Sequence, residues 1–176
     1  MFSNDHIDIA TTDDIPIINS LLNSAYRGEL ASKTWTSEAH LIAGDTRTDE
    51  REINRIMAQP GSVFLKYTDE HKRLTGCVNL QQYEQRLYLG MLSVSPYQQG
   101  KGIGKYLMDA AEEFAADRKC DTIYMTVISI RTELIDWYVR RGYRDTGERK
   151  KFVEDAVSGK HLQPLEFMLM EKKLMV

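Results

Sequence analysis

The stretch VSPYQQGKGIGKYLM, residues 94–108, places glycine at 100, 102 and 104 and lysine at 101 and 105, with no carboxylate before Asp109. Bare Cα positions let main-chain N–H groups come close to a ligand, and two cations beside them favour an anion. Two phosphate motifs fail on spacing. G-x-G-x-x-G needs glycine where Lys105 or Leu107 stands. G-x-x-x-x-G-K-[ST], ending on Gly104-Lys105, finds Gln99 in place of its first glycine and Tyr106 in place of its hydroxyl. What survives is a glycine loop that opens a helix. Such an end carries up to four unpaired N–H donors and a partial positive charge, and so fits a pyrophosphate without a metal. On spacing alone, a flexible turn that simply needs glycine is an equal alternative.

The surrounding elements must hold that loop in place. The pattern predicts a strand over 6–10, then a helix capped by Thr12 or Asp13, with Pro16 in its first turn and Gly28 as its stop. Residues 37–43 and 49–58 read as short helical pieces, closed by Pro60 and Gly61. Strands come next over 63–67, 73–80 and 86–94. In the last, Leu87, Leu89 and Met91 alternate with Tyr88, Gly90 and Leu92, so both faces are apolar, as in a central strand. The helix after the glycine loop carries an inward stripe of Ile103, Leu107, Ala110, Ala111 and Phe114. A strand over 122–128 leads to a helix capped by Ser129 or Thr132 and ended by Gly142. Strands over 143–149 and 165–172 close the chain. The order β-α-α-β-β-β-α-β-α-β-β predicts one α/β domain of the α+β type over residues 1–176, with a mixed, mostly antiparallel central sheet flanked by helices.

Two segments carry a family resemblance. Gln99-Gly100-Lys101-Gly102-Ile103-Gly104 resembles the Q/R-x-x-G-x-G/A signature of the GNAT superfamily of acyl-CoA-dependent N-acetyltransferases. ELIDWYVRRGY, residues 133–143, is similar to the later helix of that family, where a tyrosine precedes a Gly-aromatic pair. The resemblance covers most of the chain after about residue 62 and implies a sheet with splayed strands that hold acyl-CoA. It assigns the pyrophosphate to Gln99, Gly100, Lys101, Gly102, Ile103, Gly104 and Lys105. It assigns the pantetheine arm to main-chain groups of Leu92, Ser93 and Val94, one of whose N–H groups would polarise the thioester carbonyl.

The resemblance also places Tyr138 near the CoA sulfur, both as a cofactor contact and as the acid that protonates the leaving thiolate. The alternative for Tyr138 is a core aromatic in register with Leu134. Where relatives bind pantetheine with an asparagine, this chain has Arg131, which either touches the cofactor or anchors its loop through carbonyls. The family's glutamate or histidine base falls on Tyr88 and Gly90 here, so a strand-borne base is absent. Glu84, Glu38, His40 and a water chain remain as routes for the amine proton. Tyr26, Trp35, Tyr83 and Tyr88 are the candidates to line the acceptor pocket.

The rest of the composition narrows the class. A net charge of −3 supplies no field for nucleic acid, and no apolar run approaches a membrane span. Cys77 and Cys120 show neither metal-ligand nor C-x-x-C spacing, the four histidines show no zinc spacing, and MFSNDHIDIA lacks a signal-peptide pattern; a cytoplasmic protein with reduced thiols and no metal is expected. The run RRGYRDTGERKK, residues 140–151, holds six basic and two acidic side chains; it either attracts the CoA ribose phosphate or an acidic substrate or, as the favoured reading, is a solvated face with cations suited to a helix C-terminus. The expectation is transfer from acetyl-CoA to a primary amine of a small molecule or peptide in a ternary complex, with no acyl-enzyme on either cysteine. A CoA-binding sensor on the same fold and a nucleotide-phosphate binder are the alternatives. Relatives often pair, which leaves a homodimer open.

Overall fold

The computed structural model describes residues 2–27, 47–151 and 165–175. Gly28, Trp35, Glu38, His40 and the helical piece expected over 37–43 lie outside them.

Among the described residues, eleven α-helices and strands occur in the predicted order. They are β1 (Ile7–Ile9), α1 (Ile15–Arg27), α2 (Glu50–Met57), β2 (Ser62–Thr68), β3 (Leu74–Tyr83), β4 (Arg86–Val94), α3 (Ile103–Asp117), β5 (Thr122–Ile128), α4 (Thr132–Val139), β6 (Arg144–Lys151) and β7 (Glu166–Lys173). The seven strands form one sheet in the order β1-β2-β3-β4-β5-β7-β6. Every neighbouring pair is antiparallel except β4 and β5. No helix among the described residues is long and apolar enough to cross a membrane.

Each sheet face has its own core. Val78, Leu80, Leu87 and Leu89 pack with the inward stripe of α3 and with Leu134 and Tyr138 of α4. Ile18 and Leu22 of α1 and Ile53 of α2 pack with Phe64 and Cys77 on the opposite face. At Gly76 of β3, an added Cβ would lie 2.7 Å from Ile103 Cγ2 and 3.1 Å from Leu107 Cδ1. The missing side chain lets the first turn of α3 sit directly on the sheet, which fixes the depth of the glycine loop.

The structure corrects several local expectations. The first helix is capped one residue earlier than expected: the Asp14 carboxylate accepts from the Thr11 N–H at 2.8 Å, and a 3-10 turn over Thr12–Asp14 precedes α1. Neither Ser129 nor Thr132 caps α4; Arg131 holds the cap position, with no side-chain cap bond. Strand β3 runs on to Tyr83, because the two-residue turn Glu84–Gln85 comes later than the polar Gln81 and Gln82 imply. The alternation expected along β4 breaks at Met91. Its φ of 55° is left-handed, and the β3 pairing skips from Asn79↔Gly90 to Cys77↔Ser93. This bulge inserts one residue and reverses the facing of the rest of the strand. Leu92 and Val94 therefore join Leu89 in one core, while Met91 packs into the other.

Cys77 is fully buried, and burial pushes its thiol from 9.0 up to about 12. Burial raises Tyr138 and Tyr143 in the same direction. A raised native pKa means that the unfolded thiol releases its proton near pH 9 while the native one keeps it. Stability is therefore intact below pH 9 and falls as pH rises towards 12, by about 1.4 kcal/mol per unit for Cys77 alone. Thermal melts from pH 8 to 11 should show a falling midpoint, with a shallower fall in Cys77→Ala. An unchanged slope in that variant would exclude the thiol as the source.

Candidate functional site

The loop after β4 is built from short-range bonds. The Ser95 hydroxyl accepts from Tyr97 N–H, and Gln98 N–H donates to the Ser95 carbonyl at 2.9 Å, closing the 3-10 turn Pro96–Gln98. Gln99 Nε2 donates to the Val94 carbonyl at 2.9 Å and ties the loop to the strand end. Gly100 and Gly102 then take φ of 81° and 79°, the left-handed region that side chains disfavour, and Gly102 is the cap of α3. Tyr106 N–H is the first to find a helical acceptor, the Gly102 carbonyl at 3.0 Å. Among the described residues, no main-chain N–H from Gly100 to Lys105 has a carbonyl partner.

These amides line a cleft together with Val94, Lys105, Trp137 and Arg141. Lys101 is turned aside, its Nζ donating to Gln98 Oε1 at 2.8 Å, so Lys105 is the loop lysine on the cleft wall. Trp137 was not expected here, and Arg141 was considered only as one member of the basic run 140–151. Trp137 lies on α4, and Arg141 follows the cap residue Arg140 in the closing turn, its N–H donating to the Tyr138 carbonyl at 2.9 Å. The run 140–151 matches the solvated-face reading from Arg144 onward, where Arg144 pairs with Glu171 and Arg149 with Asp145. Arg141 departs from it.

Beyond the cleft the sheet is open. β4 and β5 pair only as Arg86↔Thr122, Leu87↔Ile123 and Tyr88↔Tyr124, while β4 runs on to Val94 and β5 to Ile128. The slot is crossed at the side-chain level, with Tyr88 Oη 3.3 Å from Thr126 Oγ1. Ser95 N–H donates to the Thr75 carbonyl at 2.8 Å. In an antiparallel ladder, bonded pairs alternate, so Ser93 also turns its main-chain groups to β3, and Val94 turns its own towards the slot. Of the three strand residues expected to meet a pantetheine arm, Ser93 is thus committed elsewhere. The Leu92 carbonyl accepts from the Tyr26 hydroxyl at 2.7 Å, and the Val94 carbonyl is held by Gln99.

Tyr138 of α4 is 6% exposed and packs edge-on against Trp137 and Tyr143. Its hydroxyl has no hydrogen-bond partner among the described residues, and the neighbouring Tyr143 hydroxyl is buried without one. Burial pushes the phenol far above its usual range. Tyr26, Tyr143 and Tyr88 add to that, and the charge of Arg131 opposes it. Tyr26 from α1, Tyr88 from β4 and Arg131 from the head of α4 are therefore all within electrostatic reach of one hydroxyl.

A second pocket lies over β3 and β4 on the α1/α2 side. Tyr83, Tyr88, Asn79, Gln81, Arg47 and Met91 contribute to its walls. Two of these were hidden in the sequence: Asn79 and Gln81 alternate on one face of a strand that is otherwise mostly apolar. Asn79 Nδ2 donates to the Val63 carbonyl at 2.9 Å, and Gln81 Nε2 donates to the Pro60 carbonyl at 2.6 Å. Those bonds fix both amide orientations and leave Gln81 Oε1 buried without a partner. Tyr26 belongs to the slot instead. Glu84 sits at the exposed β3–β4 turn and does not line this pocket. Its described walls hold neither a carboxylate nor an imidazole. No group of three or more His, Cys, Asp or Glu that could hold a metal occurs among the described residues.

Comparison with known proteins adds a family and a fold. The model of the acetyltransferase (GNAT) family matches residues 23–147. Streptothricin acetyltransferase of Streptomyces lavendulae is 33% identical over 70 residues, which cover 40% of this chain and 37% of that protein, so the match spans well under half of the curated relative's length. The ribosomal-protein-S18-alanine N-acetyltransferase from Escherichia coli shares the fold, with a TM-score of 0.70 and 15% identity over 97% of this chain and 94% of that one. So does a GNAT superfamily phosphinothricin acetyltransferase from Sinorhizobium meliloti in complex with AcCoA, with a TM-score of 0.69 and 18% identity over 96% of this chain and 87% of that one.

Proposed function

The chain belongs to the acetyltransferase (GNAT) family, and we propose from that premise that it transfers the acetyl group of acetyl-CoA to a primary amine of a small molecule or peptide by direct attack in a ternary complex. The observation that carries this reading is the run of unpartnered amides from Gly100 to Lys105, in a cleft also lined by Val94, the last residue of β4, which has parted from β5 after Tyr88. An anion fits that end of α3, since the donors are unpaired and no acidic side chain lines the cleft. The thioester supplies an acyl carbon activated towards amines.

The residues of this chain supply the rest. The Gly100–Lys105 amides and Lys105 hold the diphosphate. Main-chain groups of Leu92 and Val94 flank the pantetheine arm like a neighbouring strand. A β4 N–H at the slot stabilises charge that builds on the carbonyl oxygen. Tyr138 gives its proton to the departing sulfur. The acceptor enters over Tyr83 and Tyr88. An alkyl ammonium has a pKa of about 10.4, so it must lose a proton before attack. With no carboxylate or imidazole on the described walls of that pocket, water is the carrier we assign to that proton.

The test is thiol release from acetyl-CoA against a panel of polyamines, amino acids, aminated antibiotics and peptide N-termini, with the product weighed by mass spectrometry. One amine gaining a single acetyl group, with CoA released in equal amount, is the expected result. CoA binding without release on any amine would overturn transfer and leave a binding module.

A further inference from the structure

The Arg141 side chain is held more rigidly than an ordinary surface arginine. Its guanidinium lies 3.6 Å from the centroid of the Trp137 ring, and its Nη1 donates to the Trp137 carbonyl at 3.1 Å. These two restraints fix the plane and the rotation of the group. They also use only one edge of it. Nε is buried without a hydrogen-bond partner, and Nη2 has no acceptor among the described residues. The Nε/Nη2 edge is the one that meets two oxygens of a phosphate or carboxylate side by side. The residue lines the same cleft as the α3 amides.

Resting on the acetyl-CoA reading above, we propose that Arg141, laid flat on Trp137, is the side-chain partner of the diphosphate, which it takes on its Nε/Nη2 edge opposite the α3 amides. Trp137 is the positioning residue of the pair. The charge has no internal counterion: Asp109 lies within electrostatic reach but forms no ion pair with it among the described residues, and burial and the neighbouring Arg140 both disfavour its charged form. An anion in the cleft relieves that. The side chain is ordered before the ligand arrives, so little rotamer freedom is lost on binding.

Calorimetric titration with CoA and with dephospho-CoA, on the full chain, tests the assignment. Arg141→Met keeps the stem over Trp137 and removes the fork; it should weaken both ligands by the same factor, about 10- to 100-fold. Arg141→Lys keeps the charge without the fork and should weaken both by about fivefold or more. Arg140→Met, one residue away and exposed, should stay within about twofold. Urea midpoints report whether each variant is folded, and Arg141→Lys decides alone if Arg141→Met is not. Unchanged affinity in the folded Arg141 variants overturns the proposal. So does a loss seen with CoA but absent with dephospho-CoA, which would move Arg141 to the ribose phosphate. An equal loss in Arg140→Met would also overturn it, as a diffuse field effect. If the unaltered chain binds neither ligand, the acetyl-CoA reading itself fails and this assignment falls with it.

Discussion

Tyr138→Phe is expected to lower kcat by about 100-fold or more while leaving the Kd for CoA within about twofold, since general acid catalysis contributes roughly 10²–10⁴-fold. The ring keeps its edge contacts with Trp137 and Tyr143, and the deleted hydroxyl has no described hydrogen bond to lose. The thermal midpoint should therefore barely move, which separates a proton donor from a core aromatic. An ordinary phenol near 10 and thiol near 8.5 make proton transfer uphill by about 2 kcal/mol. Burial widens that gap by raising the phenol, but a thiolate leaving into the same slot is desolvated as well. Cys77, elsewhere in this sheet, shows the direction, with burial lifting its thiol to about 12. With the phenol raised, the acid stays protonated across the working range, so no alkaline limb from Tyr138 should appear below about pH 10. An unchanged rate in the variant would remove Tyr138 from the mechanism.

Gly102→Val should cost the protein at least about 100-fold in CoA affinity. Two separate effects act together. A β-branched residue at φ 79° is strained, which tilts the next N–H groups along the chain. The new side chain also stands where the anion must approach. The protein itself has room: a Cβ there meets only the Tyr106 ring, at 3.7 Å. The fold should thus survive with a loss of about 1–2 kcal/mol, and the damage should fall on binding. Losing two charge-assisted bonds, each worth about 1.5–3 kcal/mol, accounts for the factor. Titration of Gly102→Val and Gly104→Val with CoA checks this, and retained affinity in both would count against the loop as the diphosphate seat.

The features legible in the sequence are those set by local chemistry. The glycine loop, the stripe of α3 and the stop at Gly142, whose φ is 94°, all depend on residues within a turn or two of one another. The order of elements derives from such signals. The features concealed in the sequence depend on partners far along the chain. The reversal at Met91 comes from how β4 pairs with β3, not from any residue within β4. Asn79 and Gln81 acquire meaning only once β2 and the Pro60 turn fix which amide atom remains free. Arg141 sits in a run of charges that looks uniform until the turn closing α4 lays its side chain against Trp137. Arg131 at the α4 cap replaces the hydroxyls that propensity favours, because the segment from Ile128 already closes on itself through the Arg131 N–H to Ile128 carbonyl bond.

The seam between β4 and β5 has a consequence for how this protein can change. Its two half-sheets are zipped by three residue pairs and then part. On the acetyl-CoA reading proposed above, every further rung that mutation added there would make the fold sturdier and turnover slower, because the same main-chain groups would serve either the neighbouring strand or the incoming thioester arm. Selection for heat tolerance and selection for turnover therefore pull this seam in opposite directions, and stabilising changes that spare activity must arise elsewhere in the molecule.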